Sequence, residues 1–179
     1  MMIHDNVLVA HGLMHYLRSS KNGPNKGCAI KLDKSKAYDW VEWSFLEKVM
    51  IRMDFSRVWV KKIMNCVSTV RNKEKCNMNL TDIIIPEKGL RQGDPISPYL
   101  YLFCMDVFSR MLLKAQEDNN IKGIRASKYG PRTNHLFFAD DALLFARNQR
   151  REVKAFKRIL VNFTRMSGQS INLDKSMVY

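Results

Sequence analysis

The stretch LFFADDALLFA (136–146) sets two adjacent aspartates, Asp140 and Asp141, between two apolar arms of strand length. Arms of this kind belong inside a protein, and a buried carboxylate without a partner is costly. Two side by side also repel one another. A chain that keeps this run must find a geometry in which both charges meet solvent or a cation. Taken alone, the run leaves several forms open. It reads as a hairpin turning at Asp140–Asp141 with both carboxylates at its tip, as an Asp-rich β-turn between buried strands, or as a buried helix segment.

A second acidic position narrows the chemistry. IKLDKSKAYDW (30–40) puts Asp33 at the end of an apolar strand, where the backbone is about to turn. Hard divalent cations take carboxylate oxygens, and Mg2+ keeps positions open for substrate phosphates. Two such ions roughly 4 Å apart activate a 3′-hydroxyl and stabilise a leaving pyrophosphate. That chemistry needs carboxylates from separate strand ends, and Asp33, Asp140 and Asp141 would supply them. A third piece, GLRQGDPISPYLY (89–101), is a loop shaped by Gly89, Gly93, Pro95 and Pro98. Its glycines permit close approach of a ligand, and Arg91 suits a phosphate or a carboxylate. The same loop also reads as a well-capped helix entrance with Arg91 and Asp94 paired for structure.

The chain has 179 residues with 30 Lys plus Arg against 17 Asp plus Glu, a formal charge of +13. This favours a polyanionic partner, nucleic acid before an anionic membrane surface. No apolar run reaches the roughly 20 residues of a membrane helix, and the N-terminus lacks the pattern of a signal peptide. Cys28, Cys66, Cys76 and Cys104 form no C-x-x-C pair and read as small buried hydrophobes in a reducing compartment. His11 and His15 have i, i+4 spacing but no third ligand nearby, so they read as helix residues.

Periodicity and punctuation predict mixed elements. A first helix, capped by Asp5 or Asn6, would face inward with Val7, Ala10, Met14 and Leu17. Residues 19–27 read as a loop and 28–33 as a strand. A helix follows with Phe45, Leu46, Val49, Met50 and Met53 inward. The next, capped by Ser56, has Trp59, Ile63, Met64 and Val67 inward. Two short strands are expected in 73–86. A helix with Ser97 as N-cap and Pro98 at N1 would bury Leu100, Phe103, Val107 and Met111. Strands are expected at 121–128 and 136–145. A last helix carrying Val153, Phe156, Leu160 and Phe163 would stop near Gly168, before a strand in INLDKSMVY. On the other side of that helix, Arg150, Arg151, Lys154, Lys157 and Arg158 form a basic face. It suits a nucleic-acid backbone, or it is a solvated charged surface. Strands and helices without regular alternation indicate an α+β class.

In order, IKLDKSKAYDWVEW, GLRQGDPISPYLYLF, HLFFADDALLF and INLDKS resemble the reverse transcriptase domain of non-LTR (LINE-type) retrotransposons, especially those of plants. DNVLVAHGLMHYL (5–17) resembles the segment that precedes the first carboxylate motif there. The resemblance runs over essentially the whole chain, one partial domain of palm with some fingers. It implies an antiparallel sheet backed by helices, and an RNA-directed DNA polymerase that transfers nucleotides from a dNTP to a primer 3′-hydroxyl. Asp33, Asp140 and Asp141 would hold two Mg2+ or Mn2+ ions. Tyr38 would exclude a ribose 2′-hydroxyl. Arg91, Gln92 and Gly93 would face the nucleotide and template, and Lys175 the pyrophosphate. Asp39 and Asp94 would be structural. Partners would be an RNA template and a DNA primer, with no membrane, in an intracellular and nuclear setting.

The chain departs from that family at several positions. Lys34 stands where a small or apolar residue is usual, Trp40 where Arg is usual, and Gly12 where an acidic residue is usual. Asn77 is followed by Met78 where an Asn-Gly turn is usual, and Lys73 and Lys75 fall on strand positions. The upstream fingers, the thumb and any endonuclease region are not in the sequence, so impaired extension by the fragment is expected. A non-catalytic nucleic-acid-binding remnant is the alternative. An RNA-templated RNA polymerase is a weaker one, because Tyr38 opposes a 2′-hydroxyl.

Overall fold

The computed structural model describes residues 3–19, 27–34, 36–71, 75–76, 79–80, 83, 85–127, 129–138 and 141–179. In chain order the elements are α1 (Ile3–Ser19), β1 (Gly27–Asp33), α2 (Trp43–Arg52), α3 (Arg57–Ser68), β2 (Lys75–Cys76), β3 (Asn79–Leu80), α4 (Ser97–Glu117), β4 (His135–Phe138), β5 (Asp141–Arg147), α5 (Arg150–Ser167) and β6 (Asn172–Val178). They divide into two compact units. One comprises Met1–Ser35, Phe108–Thr164 and Ser170–Tyr179, the other Lys36–Val107 and Arg165–Gln169. The class is α+β, as the sequence indicates.

The first unit is built on a four-stranded sheet in the order β4-β5-β1-β6, with every neighbouring pair antiparallel. Antiparallel strands can bury both faces when helices cover each, and here they do. Ala29, Leu136 and Phe145 turn to one face and cluster with Leu13 and Leu17 of α1. On the other, Phe137 stacks on Phe108 of α4 at 5.5 Å, and Phe108 stacks on Phe163 of α5 at 4.6 Å. Offset rings at such distances add to the area they bury. α1 meets the sheet through Leu13 and Leu17, while Val7 is 51% exposed, so the expected inward stripe turns outward at its first residue. Gly12 lies on the exposed side of α1, and a side chain there would meet nothing within 4 Å.

Strands β4 and β5 pair, but Asp141 is not a turn residue as expected: it pairs with Phe138 and opens β5, while Asp140 lies outside the described residues. The strand expected at 121–128 reduces to a single bridge, Ile124 with Thr133. Ile121 and Ile124 are buried, so the apolar signal was a packing signal without a ladder partner. α5 stops where Gly168 adopts φ +75°, as expected. Its buried face is Glu152, Ala155, Phe156, Ile159 and Phe163, while Val153 is 45% exposed. Glu152 takes an inward position because its carboxylate accepts from the Lys122 and Arg147 amides and pairs with Arg147 Nε at 2.8 Å. A charge so satisfied is tolerated in a core.

In the second unit the Ser56 hydroxyl accepts from the Trp59 amide and caps α3 as expected. The buried face of α3 is Val60, Ile63 and Val67; Trp59 instead stacks on Phe55 at 4.9 Å near the surface, and Met64 is half-buried. α2 buries Phe45, Leu46, Val49 and Met50, while Met53 is its exposed C-cap residue. α4 starts differently from the expectation. The Leu100 amide bonds the Ile96 carbonyl, so Ser97 is the first helical residue and not the cap. Ile96 holds the N-cap position, and Asp94 leads into it through an Asx turn, its Oδ1 accepting from the Ile96 amide at 3.0 Å. α4 therefore buries Leu100, Tyr101, Cys104 and Met105, one step round from the expected Phe103 and Val107, which are half-buried. Of the two short strands in 73–86, Lys75 pairs with Leu80 and Cys76 with Asn79; Lys73, Asn77 and Met78 lie outside the described residues.

A polar cluster ties β4 to α4 within the first unit. His135 Nε2 lies 2.9 Å from Ser109 Oγ, and Nδ1 bonds the Asn134 side-chain oxygen. Asn134 in turn donates to the Leu112 carbonyl. That oxygen demands a proton on Nδ1, which leaves Nε2 to accept from the serine: a neutral imidazole with both nitrogens satisfied. Burial lowers the His135 pKa to about 4. The unfolded imidazole takes its proton near pH 6.5. The stability this neutral form contributes is therefore full above that pH and is lost as pH falls towards 4. Thermal unfolding followed from pH 7 to pH 4 should show a steeper loss of midpoint in the wild type than in His135→Gln. Parallel curves would mean that His135 is protonated in the fold.

Candidate active site

Strand pairing brings the acidic residues together. β1 ends at Asp33 and β5 begins at Asp141, and the last pair before them is Leu32 with Ala142. The two aspartates therefore stand beside each other, one residue beyond that pair. Alternation turns both to the face that carries Lys31. Lys31 Nζ lies 2.9 Å from Asp141 Oδ2, with the two side chains 36% and 34% exposed. Its hydrogen bond to Asp141 is the main cause that raises the Lys31 pKa; the charge of Asp141 follows, and Asp33 adds a smaller push.

The far side of β1 is irregular at the same level. The register with β6 shifts between Lys31 and Asp33, where Asp33 pairs with Asn172. The Asp33 amide donates to Ser176 Oγ at 3.3 Å, and that hydroxyl donates to the Asn172 carbonyl at 2.7 Å. A bulge of this kind bends a strand and re-aims its side chains. Lys175 sits on the irregular stretch with its side chain exposed and its amide bonded to Asn172 Oδ1.

Asp33 and Asp141 thus lie together, while Asp140 lies outside the described residues. Among the described residues no group of three His, Cys, Asp or Glu is placed to hold a metal. The donor set nevertheless suits a hard cation: two adjacent, part-exposed carboxylates, one of which already holds an ammonium through an oxygen that a cation would use.

Tyr38, Arg91, Gln92 and Gly93 belong to the second unit. Two backbone bonds pin the loop 86–96 to the turn at 36–41: Gly89 amide to Val41 carbonyl at 2.8 Å, and Leu90 amide to Tyr38 carbonyl at 2.9 Å. The Trp43 indole donates to the Gly89 carbonyl at 2.7 Å. Gly89 has φ +91°, and a Cβ there would come within 2.7 Å of the Asp39 carbonyl oxygen, so both conformation and proximity require glycine. Leu90 is buried, which leaves Arg91, Gln92 and Gly93 exposed on a fixed backbone. Arg91 and Gln92 border a cavity of about 390 Å³ lined also by Asp39, Val67 and Lys88. The Tyr38 ring stacks on Tyr101 at 4.8 Å.

Arg150, Arg151, Lys154, Lys157 and Arg158 are all exposed along α5, with Arg151 reaching Asn120 at 3.4 Å. The residue that sequence reasoning missed is Lys31. Its signal was present, since positions i and i+2 of a strand share a face and Lys31 stands two before Asp33. Two departures from the family pattern find local partners. Lys34 is buried with its Nζ 5.7 Å from the centre of the Phe137 ring. Trp40 offers its ring to Lys88 Nζ at 4.1 Å.

Comparison with known proteins extends these observations. The chain is 28% identical over 175 residues to the Pol polyprotein of a type-1 retrotransposable element R2 from Popillia japonica, covering 97% of this chain and 24% of that one. It is 52% identical over 59 residues to an uncharacterized mitochondrial protein of Arabidopsis thaliana, covering 33% of this chain and 48% of that protein. The chain spans between 11% and 48% of the length of the curated relatives it matches. Its fold matches a telomerase from Candida tropicalis, solved with a fragment of telomeric RNA, at a TM-score of 0.69 and 14% identity, over 98% of this chain and 29% of that one. Among the described residues no helix is long and apolar enough to cross a membrane. The resemblance to non-LTR retrotransposons carried by the four motifs is thereby borne out. The family match itself runs from residue 3 to residue 179, so the chain belongs to the reverse transcriptase (RNA-dependent DNA polymerase) family.

Proposed function

We infer that this chain carries the nucleotidyl-transfer centre of an RNA-directed DNA polymerase. A primer 3′-oxygen bonds to the α-phosphorus of a dNTP, the bond to pyrophosphate breaks, and the hydroxyl proton leaves to solvent. The observation that supports this reading most is the juxtaposition of Asp33 and Asp141 at neighbouring strand ends on one sheet face. Asp33, Asp141 and Asp140 would hold Mg2+ or Mn2+, two ions in all. When bound, the ions activate the 3′-hydroxyl and neutralise charge on the phosphates.

The chain's own residues position the rest. The pinned loop offers Arg91 for a phosphate and Gln92 and Gly93 for the nucleotide and template, with little reorganisation because its backbone is already fixed. Tyr38, its ring held by Tyr101, excludes a ribose 2′-hydroxyl by clash. Lys175 meets the leaving pyrophosphate. The basic face of α5 tracks the backbone of an RNA template and DNA primer without reading sequence.

Three outcomes test this reading, in this chain and in the same chain joined to the flanking regions of a longer relative. Asp33→Asn and Asp141→Asn should each lower primer extension on an RNA template by about 100-fold or more, while far-ultraviolet circular dichroism stays native. Extension at the wild-type rate in either variant would remove the metal-site assignment.

Tyr38→Ala should admit ribonucleotides with little loss of deoxynucleotide incorporation, read as the ratio of the two kcat/KM values. An unchanged ratio would make Tyr38 a packing residue alone. Removing two charges in Lys154→Ala/Arg158→Ala should reduce the slope of log affinity against log salt by about 2 for every nucleic acid tried. A slope equal to that of the wild type would show that α5 presents only a solvated face.

A further inference from the structure

We propose that Lys31 is the resident counter-cation of the carboxylate pair, and that a divalent ion binds by displacing it from Asp141. This rests on the metal-site reading above and adds how the site is loaded. Lys31 pairs across the ladder with Leu143, and Asp141 lies two residues before Leu143 on β5. Lysine and aspartate are therefore diagonal neighbours on one face, a spacing that long side chains bridge. Asp33 is two residues beyond Lys31 on the same face. Two carboxylates and one ammonium thus share the end of two strands, with the ammonium 2.9 Å from Asp141 Oδ2.

Each member has a physical reason to be there. Adjacent carboxylates repel, and a fixed positive charge beside them relieves that repulsion in the metal-free protein. The cation is a lysine, a flexible point charge that meets Asp141 through its single ammonium, without the two-pronged grip of arginine. The pair is about one-third exposed, so it is weak and screened. An ion pair of that strength holds the Asp141 side chain in place yet yields to a divalent ion. Lys31 is a positioning residue in this scheme, because it acts through Asp141.

The sign of one substitution separates this from a purely structural ion pair. If Lys31 only braces the strand ends, Lys31→Met loosens Asp141 and weakens metal binding. If Lys31 competes with the metal, the same change strengthens binding. Mn2+ binding to the whole chain, read by electron paramagnetic resonance at about 20 mM salt, makes the comparison where screening is small. Lys31→Met should bind Mn2+ about 3- to 10-fold more tightly than wild type, the size of a unit charge repelling a divalent ion across several ångströms of water-like dielectric. The gain should shrink as salt is raised, and Lys31→Arg should lie within about twofold of wild type. Without metal, Lys31→Met should melt below wild type, and Mn2+ should raise its midpoint by more.

Equal or weaker Mn2+ binding in folded Lys31→Met overturns the proposal. Should that variant not fold, Lys31→Gln carries the same comparison, and equal or weaker binding by it counts against the proposal in the same way. Asp141→Asn separates the two levels of inference. If wild type binds Mn2+ and Asp141→Asn does not, while removal of the lysine charge changes nothing, only the role of Lys31 falls. If wild type binds no Mn2+, or Asp141→Asn binds it as wild type does, the metal site falls and the role of Lys31 with it.

Discussion

The antiparallel pairing of β1 with β5 is the constraint on which the candidate site depends. A strand has a side-chain period of two, so its register decides which residues share a face. With Leu32 opposite Ala142, the acidic ends of both strands coincide, and Lys31 falls within reach of Asp141. A slip of one residue would send Asp33 to the face where Phe137, Phe108 and Phe163 stack, and burying a carboxylate there is costly. The register is held by burial away from the acidic end. Ala29 and Phe145 pack under α1, and Leu144 and Ala142 are fully buried. Apolar packing along the strands thus fixes the position of charges at their tips.

The second unit presents its polar residues by a different device. Backbone hydrogen bonds and one indole pin the loop after Pro86 to the turn that holds Tyr38, and Gly89 allows the two backbones to touch. Asp94 then satisfies the Ile96 amide, so the loop turns tightly into α4. Arg91 and Gln92 are exposed between two fixed points. Such preorganisation suits residues meant to meet a ligand, since little conformational freedom is lost on contact.

The departures from the family pattern are partly absorbed by their surroundings. A lysine after Asp33 looks like an intrusion in the sequence, yet alternation turns Lys34 away from Lys31 and Asp33 and lays it over Phe137. Trp40 replaces a usual cation and recovers one, because Lys88 sits over its ring and within 3.9 Å of Glu42. Gly12 has no such compensation: it weakens α1 by about 1 kcal/mol relative to alanine and fills no space that a side chain could not occupy.

The amino-acid sequence alone determined the α+β class, the order of the main elements, the Ser56 cap and the stop at Gly168. Each is written in local pattern: apolar arms, turn residues, a hydroxyl before an amphipathic run, a glycine that tolerates positive φ. The neighbouring positions of Asp33 and Asp141 were foreseeable in kind, since metal chemistry asks for carboxylates from separate strand ends. Tertiary structure decided the rest. Val7, Trp59, Met53 and Val153 turned outward because a helix buries whichever face its neighbours cover, and periodicity leaves that face uncertain by a residue or so. Ser97 yielded the cap position to Ile96 because the loop folds back through the Asp94 turn. Among the described residues, 121–127 stayed out of the sheet, where Ile124 bridges to Thr133. Local spacing already put Lys31 on the face of Asp33, but its pairing with Asp141 depends on the register of β1 against β5, which no local stretch of chain encodes.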